Sequence, residues 1–197
     1  MAKGDQTREM ILDKAAQLFS LQGYFGSSLS DIMRTTGLEK GGIYNHFASK
    51  EELALEAFDY AVGLITERYR LALEKETHSV ERLVAIVGVF RSLIDAPPLP
   101  GGCPVLNTAI ESDDAQPALR DRAKKAMDRW YRLITRTVRD GIEKGEIRPG
   151  VDPDATATIM ISTLEGAVML SKLYRDKVYM HRAVDHIIAF IETAIRA

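Results

Sequence analysis

Within eleven residues, Lys40, Tyr44, Asn45, His46 and Lys50 bring together two cations, a phenol, an amide and an imidazole. Such donors hold phosphate oxygens or read base edges, so the chemistry they offer is recognition of nucleic acid. Lys50 falls on the first turn of a helix, where free backbone amides and a cation would meet a phosphate oxygen together. Gly41 and Gly42 each cost a helix about 1 kcal/mol relative to alanine. Close approach of another backbone is a reason for both.

These side chains need a rigid frame, and the surrounding residues spell one. Ser28 and Asp31 have the capping-box spacing ahead of the apolar pair Ile32 and Met33, which predicts a short helix. Gly37 can take the left-handed conformation needed to stop it sharply, and Leu38 can then pack back onto it. A second short helix follows over Lys40 to Phe47. Ile43 and Phe47 lie on its inner face, and Lys40, Gly42, Tyr44, Asn45 and His46 point elsewhere. Ser49 and Glu52 form a second capping box that opens a third helix. Upstream, Ile11, Leu12, Ala15, Leu18 and Phe19 recur along one helical face until Gly23. Tyr24 and Phe25 are expected as core beneath the turn.

The string LEKGGIYNHF followed by ASKEEL resembles the helix-turn-helix signature of the TetR family of one-component transcriptional regulators. The likeness extends upstream through TREMILDKAAQLFSLQGYFGSSLSDI, about the first quarter of the chain, while the remainder is similar in length and helical character alone. It implies that Lys40, Gly42 and Asn45 face base edges and that Ser28, Tyr44, His46 and Lys50 hold phosphates of a double-stranded operator. One position departs from the pattern. Glu39 stands where the family usually has a serine or threonine cap; its carboxylate suits the helix dipole but repels phosphate, and it can instead accept from a cytosine amino group.

The rest reads as helices around one core, an all-α body behind a three-helix head. A long helix from Lys50 to about Lys75 carries Leu53, Ala57, Tyr60, Ala61, Leu64 and Leu71. A second, from Val80 to Ile94, is apolar over a broad face and expected to be buried on two sides. Ala96 to Pro104 holds four of the seven prolines and two glycines, so no helix runs through it. A short helix follows over Val105 to Ser112, and Asp113, Asp114 and Pro117 mark the start of one running to Lys144 with Trp130, Ile134, Val138 and Ile142 inward. Gly145, then Asp152 with Pro153, make a second break.

The last two helices, Pro153 to Arg175 and Val178 to Arg196, are apolar or small round most of their circumference. A homodimer through Met160, Leu164, Val168, Val184, Ile187, Ile188 and Ile191 is expected, because neither helix can bury so much alone. The motif sets a boundary between a DNA-binding domain, 1–50, and an effector-binding and dimerisation domain, 51–197. The family resemblance further implies a small, often apolar effector bound in the body and releasing DNA. Candidate lining residues are Tyr60, Leu64, Phe90, Cys103, Leu106, Asn107, Glu111, Trp130 and Glu165. Asn107 and Glu111, one turn apart, form the polar pair that could orient a ligand or equally satisfy one another in a core.

Composition bounds these readings. With 46% hydrophobic residues in 197, the chain can bury a full core. Its formal charge is −2 overall, +1 over residues 1–50 and −3 over the rest, so geometry and not bulk charge must bring it to DNA. No apolar run approaches a membrane span and MAKGDQTREM has no signal-peptide core, so a cytoplasmic protein is expected. The four histidines include no pair at metal-site spacing, and neither metal nor cofactor is expected. A helical enzyme would need a nucleophile elbow or phosphate loop that the chain lacks; a protein-docking head is the other alternative. The single cysteine, Cys103, permits no internal disulfide. It is either buried filler or, at the start of its helix, a thiol activated by helix-end amides that senses electrophiles or oxidants.

Overall fold

The computed structural model describes residues 3–112 and 116–197, and among them the architecture is all-helical, as the periodicity predicts. The order is α1 (Lys3–Gln22), α2 (Leu29–Thr36), α3 (Lys40–Tyr44), α4 (Lys50–Leu73), α5 (Ser79–Asp95), α6 (Pro104–Glu111), α7 (Pro117–Glu143), α8 (Pro153–Tyr174) and α9 (Val178–Phe190), closed by a π-helical turn over Ile191–Ile195. The start signal expected at Asp113 and Asp114 lies outside the described residues. No helix among those described is long and apolar enough to cross a membrane.

Packing divides the chain into two compact units that do not coincide with a cut at residue 50. The first comprises Met1–Ile65 and Leu99–Ala126, the second Thr66–Pro98 and Met127–Ala197. In the first unit, Ile11, Ala15 and Leu18 of α1 form one core with Ile32 of α2, Ile43 of α3, Phe47 and Leu53, Ala57 and Ala61 of α4. Leu38 packs against the same core, as the turn geometry requires. Each boundary has its chemical cause. Ser28 accepts from the Asp31 N–H and the Asp31 carboxylate accepts from the Ser28 N–H, a complete capping box, and Gly37 at φ 71° ends α2 by donating to the Met33 carbonyl. At α4, Ser49 Oγ accepts from Glu52 N–H at 3.1 Å while the Glu52 carboxylate reaches Ala48 N–H, one residue earlier than a standard box.

In the second unit, α5 packs against α8, α9 and the π-helical turn. Val80, Leu83, Ile86, Val87, Val89, Phe90 and Leu93 are all buried, which accounts for the apolar breadth of α5. Tyr69, Phe90 and Trp130 meet edge-on or tilted, with ring centroids 5.9–6.5 Å apart, the arrangement favoured by the ring quadrupoles. Asp152 caps α8 by accepting from Asp154 and Ala155 N–H, with Pro153 at the first helical position.

Three expectations need correction. Phe25 is 51% exposed although its neighbour Tyr24 is buried: the two rings meet edge-on with centroids 5.1 Å apart, and only the Tyr24 ring is covered. Leu71 is exposed on α4. Most important, Met160, Leu164, Val168, Val184, Ile187 and Ile191 are each at most 1% exposed within one subunit, and Ile188 is half-buried. The two helices use those faces on each other and on α5, so the six buried side chains cannot be a subunit interface, while Ile188 keeps surface that a partner can cover. The apolar surface left on α8 is a separate stripe of Ile159, Met169 and Leu173, running past the open Gly166.

Candidate nucleic-acid interface

The reading surface is built from α2, α3 and the start of α4, all in the first unit. Ile43 and Phe47, 2% and 1% exposed, anchor α3 to the core, and their burial turns the other face of this short helix outward. Lys40, Gly41, Tyr44 and Asn45 are exposed there, with Gly42 and His46 half-covered. Lys40 Nζ lies 5.6 Å from the Tyr44 ring centroid, one turn on, so the cation and the phenol share one patch. A Cβ added to Gly41 would meet nothing within 4 Å, and one at Gly42 would touch only Leu38 at ordinary contact distance. Neither glycine answers a crowding demand inside the protein, so their helix-propensity cost is left for an outside surface to offset. Glu39 caps α3 by position alone, with no side-chain hydrogen bond. Its carboxylate is therefore not committed to the helix.

The proposed phosphate holders differ in how free they are. Tyr44 is exposed. Ser28 is committed: its hydroxyl donates to Asp31 Oδ2 at 2.6 Å, its N–H donates to the same oxygen at 2.9 Å, and its oxygen accepts from Asp31 N–H. These bonds, the hydroxyl's first, hold the Asp31 carboxyl below the ordinary carboxylate range. A serine hydroxyl has one proton, so donating it to a phosphate costs Ser28 its bond to Asp31 Oδ2, while its oxygen still accepts from Asp31 N–H and the cap stands. Lys50 donates to the Tyr24 carbonyl at 2.8 Å and sits 4.1 Å from the centroid of the Tyr24 ring, which leaves two ammonium protons for solvent or phosphate.

Tyr24 is the residue the sequence reading undervalued. It is expected as core, and it is 8% exposed, yet its polar groups join its turn to two helices. Its N–H donates to Glu111 of α6, its carbonyl accepts from Lys50 of α4, and its hydroxyl donates to Glu51 at 3.0 Å. Burial and then the Glu51 carboxylate push the phenol pKa up to about 12, so the hydroxyl keeps its proton and its bond. No spacing rule links residues 24 and 111, and no signal in the chain could have found this contact.

The residues proposed as effector pocket are not brought together within either unit. Tyr60 and Leu64 pack on the head core, with the Tyr60 hydroxyl 3.5 Å from Asp13 Oδ1, and Cys103 is fully buried at the N-cap of α6 with no side-chain capping bond. Leu106 is half-covered on α6. Phe90, Trp130 and Glu165 are buried in the second unit. Asn107 and Glu111 border a cleft of about 40 Å³ walled by Phe19, Tyr24, Phe25 and Phe58. Among the described residues no cluster of His, Cys, Asp or Glu is placed to hold a metal ion.

A core-anchored helix-turn-helix with an uncommitted polar face defines a DNA-binding protein of the helix-turn-helix class. Family models agree and sharpen this: one for bacterial regulatory proteins of the tetR family matches residues 11–57, and one for a tetracyclin repressor-like C-terminal domain matches residues 79–187. The chain belongs to the TetR family of DNA-binding transcriptional regulators. A relative, the HTH-type transcriptional repressor DhaR of Mycobacterium sp. strain GP1, is 27% identical over 86% of this chain and 84% of its own. The crystal structure of a TetR transcriptional regulator from Chloroflexus aurantiacus J-10-FL matches with a TM-score of 0.96 at 49% identity, over 100% of this chain and 99% of that one. A regulator from Saccharomonospora viridis, solved in complex with choline, is 29% identical with a TM-score of 0.85, over 98% and 99%.

Proposed function

We propose that this regulator is a repressor that binds an inverted-repeat operator as a homodimer and leaves it when a small effector binds. The observation that carries the DNA half of this reading is the outer face of α3, where Lys40, Tyr44 and Asn45 are exposed around two glycines that the protein's own packing does not require. Base reading is assigned to Lys40, Gly42 and Asn45 and phosphate holding to Ser28, Tyr44, His46 and Lys50, with Ser28 also capping α2. Residues 1–50 do the reading; the remainder serves effector and partner. Repression is favoured by the kinship with DhaR, itself a repressor. Such a regulator would work in the cytoplasm.

Effector response is supported by the choline found with the Saccharomonospora relative. In this chain the candidates are Phe90, Trp130 and Glu165 of the second unit, where a carboxylate only 5% exposed lies on a helix stretch whose Leu164, Ala167 and Val168 are also buried. The dimer is assigned to the α8 stripe of Ile159, Met169 and Leu173, since apolar side chains at 48–69% exposure along one side of a helix are a surface that a second copy would cover. The thiol-sensing alternative is disfavoured by the burial of Cys103.

The test is selection of DNA from a random-sequence pool on the purified protein, followed by footprinting. An inverted repeat with half-site centres about 34–36 Å apart, or somewhat more, is expected. Protection of a single half-site would refute the dimeric reading, and salt-insensitive or absent DNA binding the whole of it.

A further inference from the structure

α6 ends on a carboxylate, an unfavourable place for one, because the last turn of a helix carries the negative end of its dipole. Glu111 is therefore not explained by α6. Its two oxygens accept from consecutive backbone amides 86 and 87 residues earlier in the chain: Oε1 from Phe25 N–H at 2.7 Å and Oε2 from Tyr24 N–H at 2.9 Å. Both amides belong to the turn between α1 and α2, where no helix satisfies them. Gly23 makes room. At φ 75° it turns the chain out of α1, and a Cβ there would come within 2.5 Å of Glu111 Oε1. One turn back on α6, Asn107 Nδ2 donates to the Gly101 carbonyl at 2.9 Å and reaches the Ser20 carbonyl at 3.4 Å, so α6 is tied to the end of α1 as well.

What Glu111 holds is the residue that organises the start of the reading head. Tyr24, fixed by its N–H, presents its carbonyl and ring to Lys50 and its hydroxyl to Glu51 at the first turn of α4. Four residues after Tyr24 comes Ser28, the cap of α2. We propose that Glu111 is a positioning residue for DNA reading: by clamping the Tyr24 and Phe25 amides it sets the α1–α2 turn, and with it Lys50 and the entry of α2, in the arrangement that DNA requires. The cleft beside the clamp, walled by Phe19, Tyr24 and Phe58, lies against the carboxylate itself. Hydrogen bonds to an ionised carboxylate are about twice as strong as neutral ones, so the clamp is stronger than an ordinary turn contact.

The experiment uses the full-length protein and the DNA fragment it selects from a random pool, with a scrambled fragment of equal composition as control. Glu111→Ala is expected to lower affinity for the selected fragment at least about tenfold, a change of about 1.4 kcal/mol. Backbone hydrogen exchange at Tyr24 and Phe25 should accelerate while α1 and α4 stay protected. Glu111→Gln, which keeps one acceptor oxygen and the shape, should fall between wild type and alanine in both measurements. A folded Glu111→Ala protein with faster exchange at those amides but affinity within twofold of wild type would overturn the proposal. So would unchanged exchange, since the clamp would then be absent in solution. If the alanine variant does not fold, the same two criteria are applied to Glu111→Gln. Binding of the selected fragment by wild type stands as the separate control on DNA recognition.

Discussion

The ammonium of Lys50 lies 2.8 Å from the carbonyl oxygen of Tyr24 and 4.1 Å from the centroid of that residue's ring. One side chain thus both pins the α1–α2 turn and carries positive charge at the start of α4. Lys50→Ala should weaken binding to selected and scrambled DNA alike and lower the slope of log affinity against log salt by about one unit per subunit. Lys50→Arg should restore most of the slope. Anisotropy titrations at several salt concentrations decide it, and a loss confined to the selected fragment would contradict a phosphate role.

Base readers should behave differently. Lys40→Ala and Asn45→Ala are each expected to cost about 1–3 kcal/mol at particular base pairs and little elsewhere, because hydrogen bonds to base edges carry the sequence information. Tyr44→Phe should weaken all sequences to a similar degree. Binding to a panel of single-base variants of the selected fragment separates the two patterns.

The two faces of α8 make opposite predictions. Met169→Asp, on the exposed stripe, should give folded monomers in sedimentation, since it charges a surface assigned to the partner. Leu164→Ala, at 0% exposure, should leave the dimer intact and cost about 2–5 kcal/mol of stability in denaturant unfolding, since it opens a cavity inside one subunit.

Acid should loosen the entry to α2. The Asp31 carboxyl is held below its ordinary value of 3.8, chiefly by the Ser28 hydroxyl. A depressed carboxylate stabilises fully above the ordinary value and loses its contribution as pH falls through the lowered one, so the cap is intact at neutral pH and fades below about pH 4. In Ser28→Ala the Asp31 titration, followed by side-chain NMR, should move up, and the variant should lose about 0.5–2 kcal/mol with its cap.

Cys103 is completely buried. In the folded protein it should react with iodoacetamide far more slowly than in denaturant, and Cys103→Ser should leave DNA release by quinones or aldehydes unchanged. Faster release in wild type than in the serine variant would revive the sensing alternative.

Much of the head was legible in the chain because its rules are local. A capping box spans three residues, as from Ser28 to Asp31; a left-handed stop needs one glycine, Gly37; and the inner pair Ile43 and Phe47 is set by helical period. Helix limits in the body followed from the same short-range chemistry, with Asp152 and Pro153 as the clearest instance. Which apolar face meets which neighbour is another matter. Periodicity marks Leu164 and Met169 as equally apolar residues of α8, and only packing against α5 and α9 buries the first and leaves the second half exposed. Tyr24 looked like filler and Glu111 like half of a ligand pair, because their hydrogen bond closes a loop of 87 residues and no sequence period reaches so far. Local rules act through bonds a few residues long; a carboxylate finds distant amides only when the core brings the two segments together.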